Sequence, residues 1–207
     1  VETRLDNKKP GFKLECPPLQ PMLMATALDG HGKIHAEIMK QRPNLQVLIA
    51  LQRDGFHPES TGGQVYLKSD GTPGLDYQVS HYIWEGIRDA FLAMAEIQFA
   101  AGAKMVAPLH RDAGIYGSIK EVKQVISELP MEILKARLFS AHLMGGCAMG
   151  EYSAKSVVNS NGLHHEVGNL SVFDGSVFPT SIAANPMESI FATTAKFATD
   201  LAKGMVN

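Results

Sequence analysis

The sequence lacks a surplus of charge of either sign. Its 207 residues hold 19 Lys and Arg against 21 Asp and Glu, with 19% charged overall. This excludes the basic excess of a nucleic-acid binder and the charge density of a disordered chain. Cysteine is nearly missing as well. Cys16 and Cys147 are too few and too far apart to form a disulfide framework, which leaves a reducing compartment or indifference to redox state. No window approaches the roughly 18 consecutive apolar residues of a membrane-spanning helix. Nothing resembles a signal peptide, and localisation stays open. What remains fits a small-molecule function, in one large domain or two small ones.

Metal-ligand patterns are also missing. His31 and His35 stand four apart, but Gly30 and Gly32 make a helix there doubtful and no third ligand accompanies them. His164-His165 has no partner pattern either, so no metal is expected. The same Gly30-x-Gly32 stretch fails as a dinucleotide fingerprint, because His35 stands where a third glycine should allow close packing.

Several elements are readable. The proline-rich first twenty residues read as a loop or arm. Residues 44–51, 63–68 and 75–79 read as antiparallel strands, with a hairpin around Asp70-Gly71-Thr72-Pro73. Ile83, Ile87, Phe91, Met94 and Ala101 share one face of a helix that stops at Gly102. Ser118 and Glu121 form a capping box ahead of Ile119, Val122, Ile126 and Leu129, a second helix ending at Pro130. Residues 170–173 predict a strand running into Asp174-Gly175. Asn185-Pro186 opens a long helix with Met187, Ile190, Phe191, Ala195, Ala198 and Leu201 as its buried stripe.

Two segments carry chemistry. One is Ser140-Ala141-His142-Leu143-Met144-Gly145-Gly146-Cys147-Ala148-Met149-Gly150. The other is Asp174-Gly175-Ser176-Val177-Phe178-Pro179-Thr180, followed by Asn185-Pro186. On spacing alone His142 is an ordinary core or surface histidine beside a glycine turn, Asn185 a helix cap, and Asp174-Gly175 equally a turn after a strand or the strand end at which an open α/β sheet binds a cofactor. Together and in this order they resemble the C-terminal end of the glucose-methanol-choline (GMC) oxidoreductases, FAD enzymes that oxidise alcohols. The resemblance is most specific over residues 140–202. More weakly, Arg53-Asp54, residues 63–68 and Ala100-Ala101-Gly102-Ala103 are similar to the long-chain-alcohol and other bacterial branches.

The resemblance implies that His142 is the catalytic base and Asn185 its partner, both facing the reactive N5 edge of the flavin. A neutral imidazole can accept a hydroxyl proton, and an amide can hold the oxygen without competing for that proton. It further implies that Asp174 and Gly175 meet the ribityl-pyrophosphate part of FAD. Backbone groups of Pro186 and Met187, at a helix start carrying about half a positive charge, would meet the side of the flavin that becomes negative on reduction. The helix could equally serve only to pack.

The implied fold is α+β. Residues 11–138 would form a mainly antiparallel substrate-binding domain with helices, and residues 139–207 would complete an α/β flavin-binding domain. The family is considerably longer, so its N-terminal FAD-binding half, with the glycine-rich fingerprint, is the expected partner beside a small-molecule alcohol. The family's usual Gly-Thr-Cys-Arg-Met-Gly is altered here to Gly146 and Ala148 in place of Thr and Arg, removing a hydroxyl and a charge. A reading of another class is a non-catalytic binding or assembly module that keeps the fold without cofactor. A hydrolase finds no support, since there is no G-x-S-x-G elbow. The 207 residues alone are expected to bind FAD weakly or not at all and to lack turnover. Stoichiometric flavin carried through gel filtration by the isolated chain would contradict this.

Overall fold

A computed structural model of the chain describes residues 9–28, 30–182 and 184–206. The first eight residues of the expected arm therefore lie outside the described residues. The chain divides into two units, Val1–Gln52 with Val79–Phe139, and Arg53–Gln78 with Ser140–Asn207. The architecture is α+β: helices with two small antiparallel sheets of two strands each. No helix among the described residues is long and apolar enough to cross a membrane.

The first unit begins with a correction. Phe12–Glu15 (β1), inside the expected loop, is a strand that pairs antiparallel with Ile49–Gln52 (β2), placing Phe12 opposite Gln52. Phe12 is buried, and one anchored aromatic outweighs the surrounding prolines. Between these strands lie Pro21–Ala27 (α1) and Gly32–Lys40 (α2). The doubt over a helix here is overturned because Gly30 and Gly32 fall at its start, leaving residues 33–40 free of glycine. His31 stands at the N-cap position, and His35 Nε2 meets the Ala25 carbonyl at 2.9 Å, joining α1 to α2. Among the described residues no group of three His, Cys, Asp or Glu could hold a metal.

His81–Ala100 (α3) and Ile119–Glu128 (α4) form the core of this unit. Ser80 Oγ accepts from the Ile83 amide, and Ser118 Oγ accepts from the Glu121 amide at 3.2 Å, each satisfying an N–H the helix cannot. Gly102, at φ +93°, ends α3 as expected. Ile83, Ile87, Phe91 and Ala95 pack with Val122 and Ile126, and Leu129, Met131 and Ala136 complete the cluster. Of the expected face, Met94 is only partly buried and Ala101 is exposed.

At the other end of α4 the last carbonyls are collected by one side chain of α3. The Arg88 guanidinium donates to the carbonyls of Ile126, Ser127 (3.1 Å) and Leu129 (3.0 Å). This places a planar cation at the negative end of a helix.

The second unit contains the expected hairpin, Gly63–Leu67 (β3) with Pro73–Tyr77 (β4). In its turn Asp70 Oδ1 accepts from the Thr72 hydroxyl (2.6 Å) and amide (2.9 Å), which holds the Asp70 carboxyl below its usual range. The core of this unit is small: Val158, Val177 and Phe197, with Phe173 stacked 5.5 Å from Phe197 at a tilt. The expected strand at 170–173 is not formed. Ser171 makes a single bridge with Leu163, and the Phe173 carbonyl accepts from the Thr194 hydroxyl rather than from a neighbouring strand.

Met187–Val206 (α5) is the expected long helix, but its buried face is not the expected one. Phe197 is buried, and Ile190, Thr194 and Leu201 are half-buried beside it. Met187, Phe191, Ala195 and Ala198 are exposed. The apolar stripe was real, and this unit packs the neighbouring side of the helix.

Replacing Arg88 with Ala would leave three α4 carbonyls without their charged donor. It should lower stability by about 2 kcal/mol, seen as a lower denaturant midpoint. Arg88→Lys, a point donor that cannot span three carbonyls, should recover less than half of the loss.

Candidate functional site

The two chemistry-bearing segments lie in the second unit and are joined by their backbones. The Cys147 amide donates to the Ser176 carbonyl (3.1 Å), and the Met149 amide to the Val177 carbonyl (2.8 Å). On its other side the same stretch meets residues 157–158. The Val157 amide donates to Ala148 and the Gly150 amide to Val158, both at 2.9 Å. Gly145, at φ +83°, turns the chain out of the His142 segment into this ladder. His165 and Ser156 brace its far end, with His165 Nε2 at 2.9 Å from Ser156 Oγ and 3.1 Å from the Gly150 carbonyl.

Gly175 is where the segments meet. A Cβ placed on it would stand 3.2 Å from the Leu143 carbonyl oxygen and 3.0 Å from Ile190 Cδ1. Leu143 follows His142 directly, and Ile190 lies one helical turn past Asn185 and Pro186. Buried Gly175 thus holds both expected catalytic segments close to one point. Asp174, exposed beside it, accepts the Ser176 amide at 2.8 Å and the Ser176 hydroxyl, capping the short 3-10 turn Gly175–Val177.

Asn185 is exposed and caps α5, with its Oδ1 accepting the Met187 amide at 3.0 Å. Of the two polar atoms of the Asn185 side chain only the oxygen can accept from an N–H, which fixes the orientation of the side chain and leaves Nδ2 as an outward donor. Nδ2 has no hydrogen-bond partner among the described residues. The cap also engages Met187, so the expected free amide there is already satisfied. Pro186, buried, has no N–H to offer. In the first turn Ile190 donates to the Pro186 carbonyl at 2.8 Å, and the amides of Glu188 and Ser189 have no partner among the described residues. Sequence reading missed those two, although the position of the cap points to them.

His142 is exposed and makes no hydrogen bond among the described residues. It contrasts with His110 of the first unit, which is buried: Nε2 meets the Pro130 carbonyl at 2.8 Å and Nδ1 accepts the Asp112 amide at 3.1 Å. His110 and His165 are bound into the fold, whereas the imidazole of His142 is uncommitted. At the two altered positions Gly146 has room, the nearest atom to an added Cβ being Ser176 Cβ at 3.9 Å. Ala148 is half-buried.

A family described as GMC oxidoreductase matches residues 58–194, roughly two thirds of the chain. A long-chain-alcohol oxidase of Arabidopsis thaliana is 30% identical over 128 residues, covering 58% of this chain and 18% of the relative. An uncharacterised GMC-type oxidoreductase of Sinorhizobium fredii is 27% identical over 143 residues, or 69% of this chain and 28% of the relative. A further Arabidopsis long-chain-alcohol oxidase is 25% identical over 202 residues, covering 91% of this chain and 25% of the relative. The matched stretches thus span only 18–28% of the length of these curated relatives.

The approach at Gly175 has a measurable cost. Glycine to alanine usually stabilises by about 0.4–1 kcal/mol through the unfolded state, but overpacking of about 1–3 kcal/mol opposes it. Gly175→Ala should therefore lower stability by about 1 kcal/mol in thermal unfolding. Adding Ile190→Val, which removes the nearest methyl but not the Leu143 carbonyl, should return part of the loss.

Proposed function

The chain belongs to the GMC oxidoreductases, as a C-terminal region of that family, and we propose that it carries the catalytic residues of a flavin-dependent enzyme oxidising an alcohol to an aldehyde or ketone. The observation that carries this reading is the division of labour in Asn185. Its oxygen is spent on the α5 cap at 3.0 Å from the Met187 amide, and its Nδ2 is left to donate. A donor-only group, on a segment that shares the Gly175 contact with the segment of an uncommitted imidazole, suits an alcohol, whose oxygen must be held while its proton is removed.

The donor set also fits the cofactor the family uses. The unpartnered amides of Glu188 and Ser189, next to Pro186 and Met187, would face the flavin edge that gains negative charge. Gly175, where an added Cβ would stand 3.0 Å from Ile190 Cδ1 and 3.2 Å from the Leu143 carbonyl oxygen, and Asp174 beside it would lie along the ribityl-pyrophosphate. A bound FAD would supply the hydride acceptor at N5. His142 would take the hydroxyl proton and Asn185 Nδ2 would hold the oxygen throughout. Two of these relatives are long-chain-alcohol oxidases, which makes long-chain alcohols the first substrates to test.

In the whole flavoprotein, His142→Ala should slow turnover by roughly 100-fold or more. Asn185→Asp keeps a capping oxygen but replaces the donor with a charged acceptor. It should cost about 100-fold in kcat with stability unchanged, while Asn185→Ala should also lose about 1 kcal/mol of stability. Both are read from the bleaching of flavin absorbance after anaerobic mixing with alcohol. Turnover like the wild type in His142→Ala would remove the assignment of the base. A whole protein that folds but binds no flavin would favour the non-catalytic module.

A further inference from the structure

The backbone of Phe56 stands at φ +60°, a left-handed conformation that a bulky side chain rarely adopts. Burial of the ring does not offset this, because Phe56 is 61% exposed. Two other non-glycine residues among those described share a positive φ, Leu134 and Asn169. Asparagine tolerates the conformation, and Leu134 sits in a turn closed by the Lys135 and Ala136 amides on the Glu132 carbonyl, at 3.1 and 3.2 Å. Phe56 is held from both sides. Before it, buried Gly55 lies so close to Thr180 that an added Cβ would collide with Oγ1 and stand 3.5 Å from the Ser181 amide nitrogen. After it, the Ser60 amide donates to the His57 carbonyl at 2.9 Å and the Glu59 amide to His57 Nδ1 at 3.2 Å. Strained backbone that is fixed by its surroundings in this way collects at ligand sites.

The strip on which this loop is pinned also serves the candidate site. A Cβ on Gly145, three residues past His142, would stand 3.3 Å from the Pro179 carbonyl oxygen, and Asn185 follows Ser181 by four residues. Residues 179–181 thus meet Gly55 and Gly145 and lead to Asn185. The residue directly after the candidate base is apolar and exposed as well, Leu143 at 68%. Neither Phe56 nor Leu143 carries a side-chain donor or acceptor, so neither can hold a hydroxyl. What such side chains offer is contact with hydrocarbon.

We propose that Phe56 is a specificity-determining residue of the alcohol site, its ring taking the hydrocarbon chain of the substrate while Asn185 and His142 take the hydroxyl. The proposal rests on the alcohol oxidation proposed above, and it assigns the choice of an alcohol with a long apolar chain to a residue of this sequence. The restrained backbone suits the role, because a ring fixed before the substrate arrives loses little freedom on binding. A grip on the chain acts equally on the bound alcohol and on the reacting one. It therefore lowers the half-saturating concentration and leaves the limiting rate alone.

The test uses the whole flavoprotein and two alcohols, 1-butanol and 1-decanol, mixed anaerobically over a range of concentrations while the bleaching of flavin absorbance is followed. Phe56→Ala should raise the half-saturating concentration of 1-decanol about 10-fold at an unchanged limiting rate, and that of 1-butanol by less than about two-fold. Phe56→Leu should recover most of the loss, and both variants should keep the melting temperature and flavin content of the wild type. Equal effects on the two alcohols, or none on either, with flavin reduction intact would overturn the proposal and leave the alcohol oxidation standing. Loss of stability or of flavin in Phe56→Ala without a chain-length effect would overturn it too, by assigning the ring to packing against other parts of the enzyme. A flavin-loaded wild type that no alcohol reduces would remove the oxidation instead, and calorimetric titration with 1-decanol then decides for Phe56. Binding about 10-fold weaker in Phe56→Ala would keep the site for the apolar chain, and equal or absent binding would remove it.

Discussion

The backbone at Gly175 comes closer to its neighbours than a side chain comfortably allows, and the arrangement of the second unit depends on that approach. The Leu143 carbonyl arrives from one side and Ile190 from another, each within about 3 Å of where a Cβ would stand. Because the two contacts fall on one atom position, the segment before the glycine turn and the first turn of α5 both pack against the same glycine. The ladder from Cys147 and Met149 to Ser176 and Val177 then extends this fixed point into a short rigid strip. His142 and Asn185 are both exposed, but they stand on backbone that is held.

Local chemistry accounts for what was legible in the sequence. Ser118 and Asn185 cap helices because their side chains reach amides two or three residues ahead, a relation contained within a few residues. The hairpin turn at Asp70 and Thr72, the glycine stop at Gly102, and the α3 and α4 faces through Ile87, Phe91, Val122 and Ile126 are of the same kind. The motif order around His142 and Asn185 was enough to identify the family.

Elements that depend on distant partners were not legible. β1 exists because β2 lies beside it and Phe12 is buried, and no rule applied to a proline-rich stretch anticipates a partner 37 residues away. The expected strand at 170–173 failed for the converse reason, since a strand is defined by its neighbours, and here Ser171 finds a single bridge with Leu163 while Thr194 takes the Phe173 carbonyl. On α5 periodicity identified an apolar face, but the helix carries two adjoining sets of apolar residues, and only packing decides which one meets Phe173 and Val158. The engagement of Met187 by Asn185 was likewise hidden. A cap and a free amide were both expected at one helix start, and a single hydrogen bond makes them compete.

The cap at Asn185 also bears on which residues could stand in its place. The position asks for one side chain with two faces of opposite polarity, an acceptor turned inward to the Met187 amide and a donor turned outward. Few side chains meet that demand. A carboxylate accepts on both faces, a hydroxyl is too short to project a donor past its own cap, and an ammonium or guanidinium cannot accept at all. A neutral imidazole does meet it, with one ring nitrogen receiving the amide and the other carrying its proton outward. Asparagine and neutral histidine share that two-sided polarity, and a helix terminus acts as the filter on which residues can occupy the position.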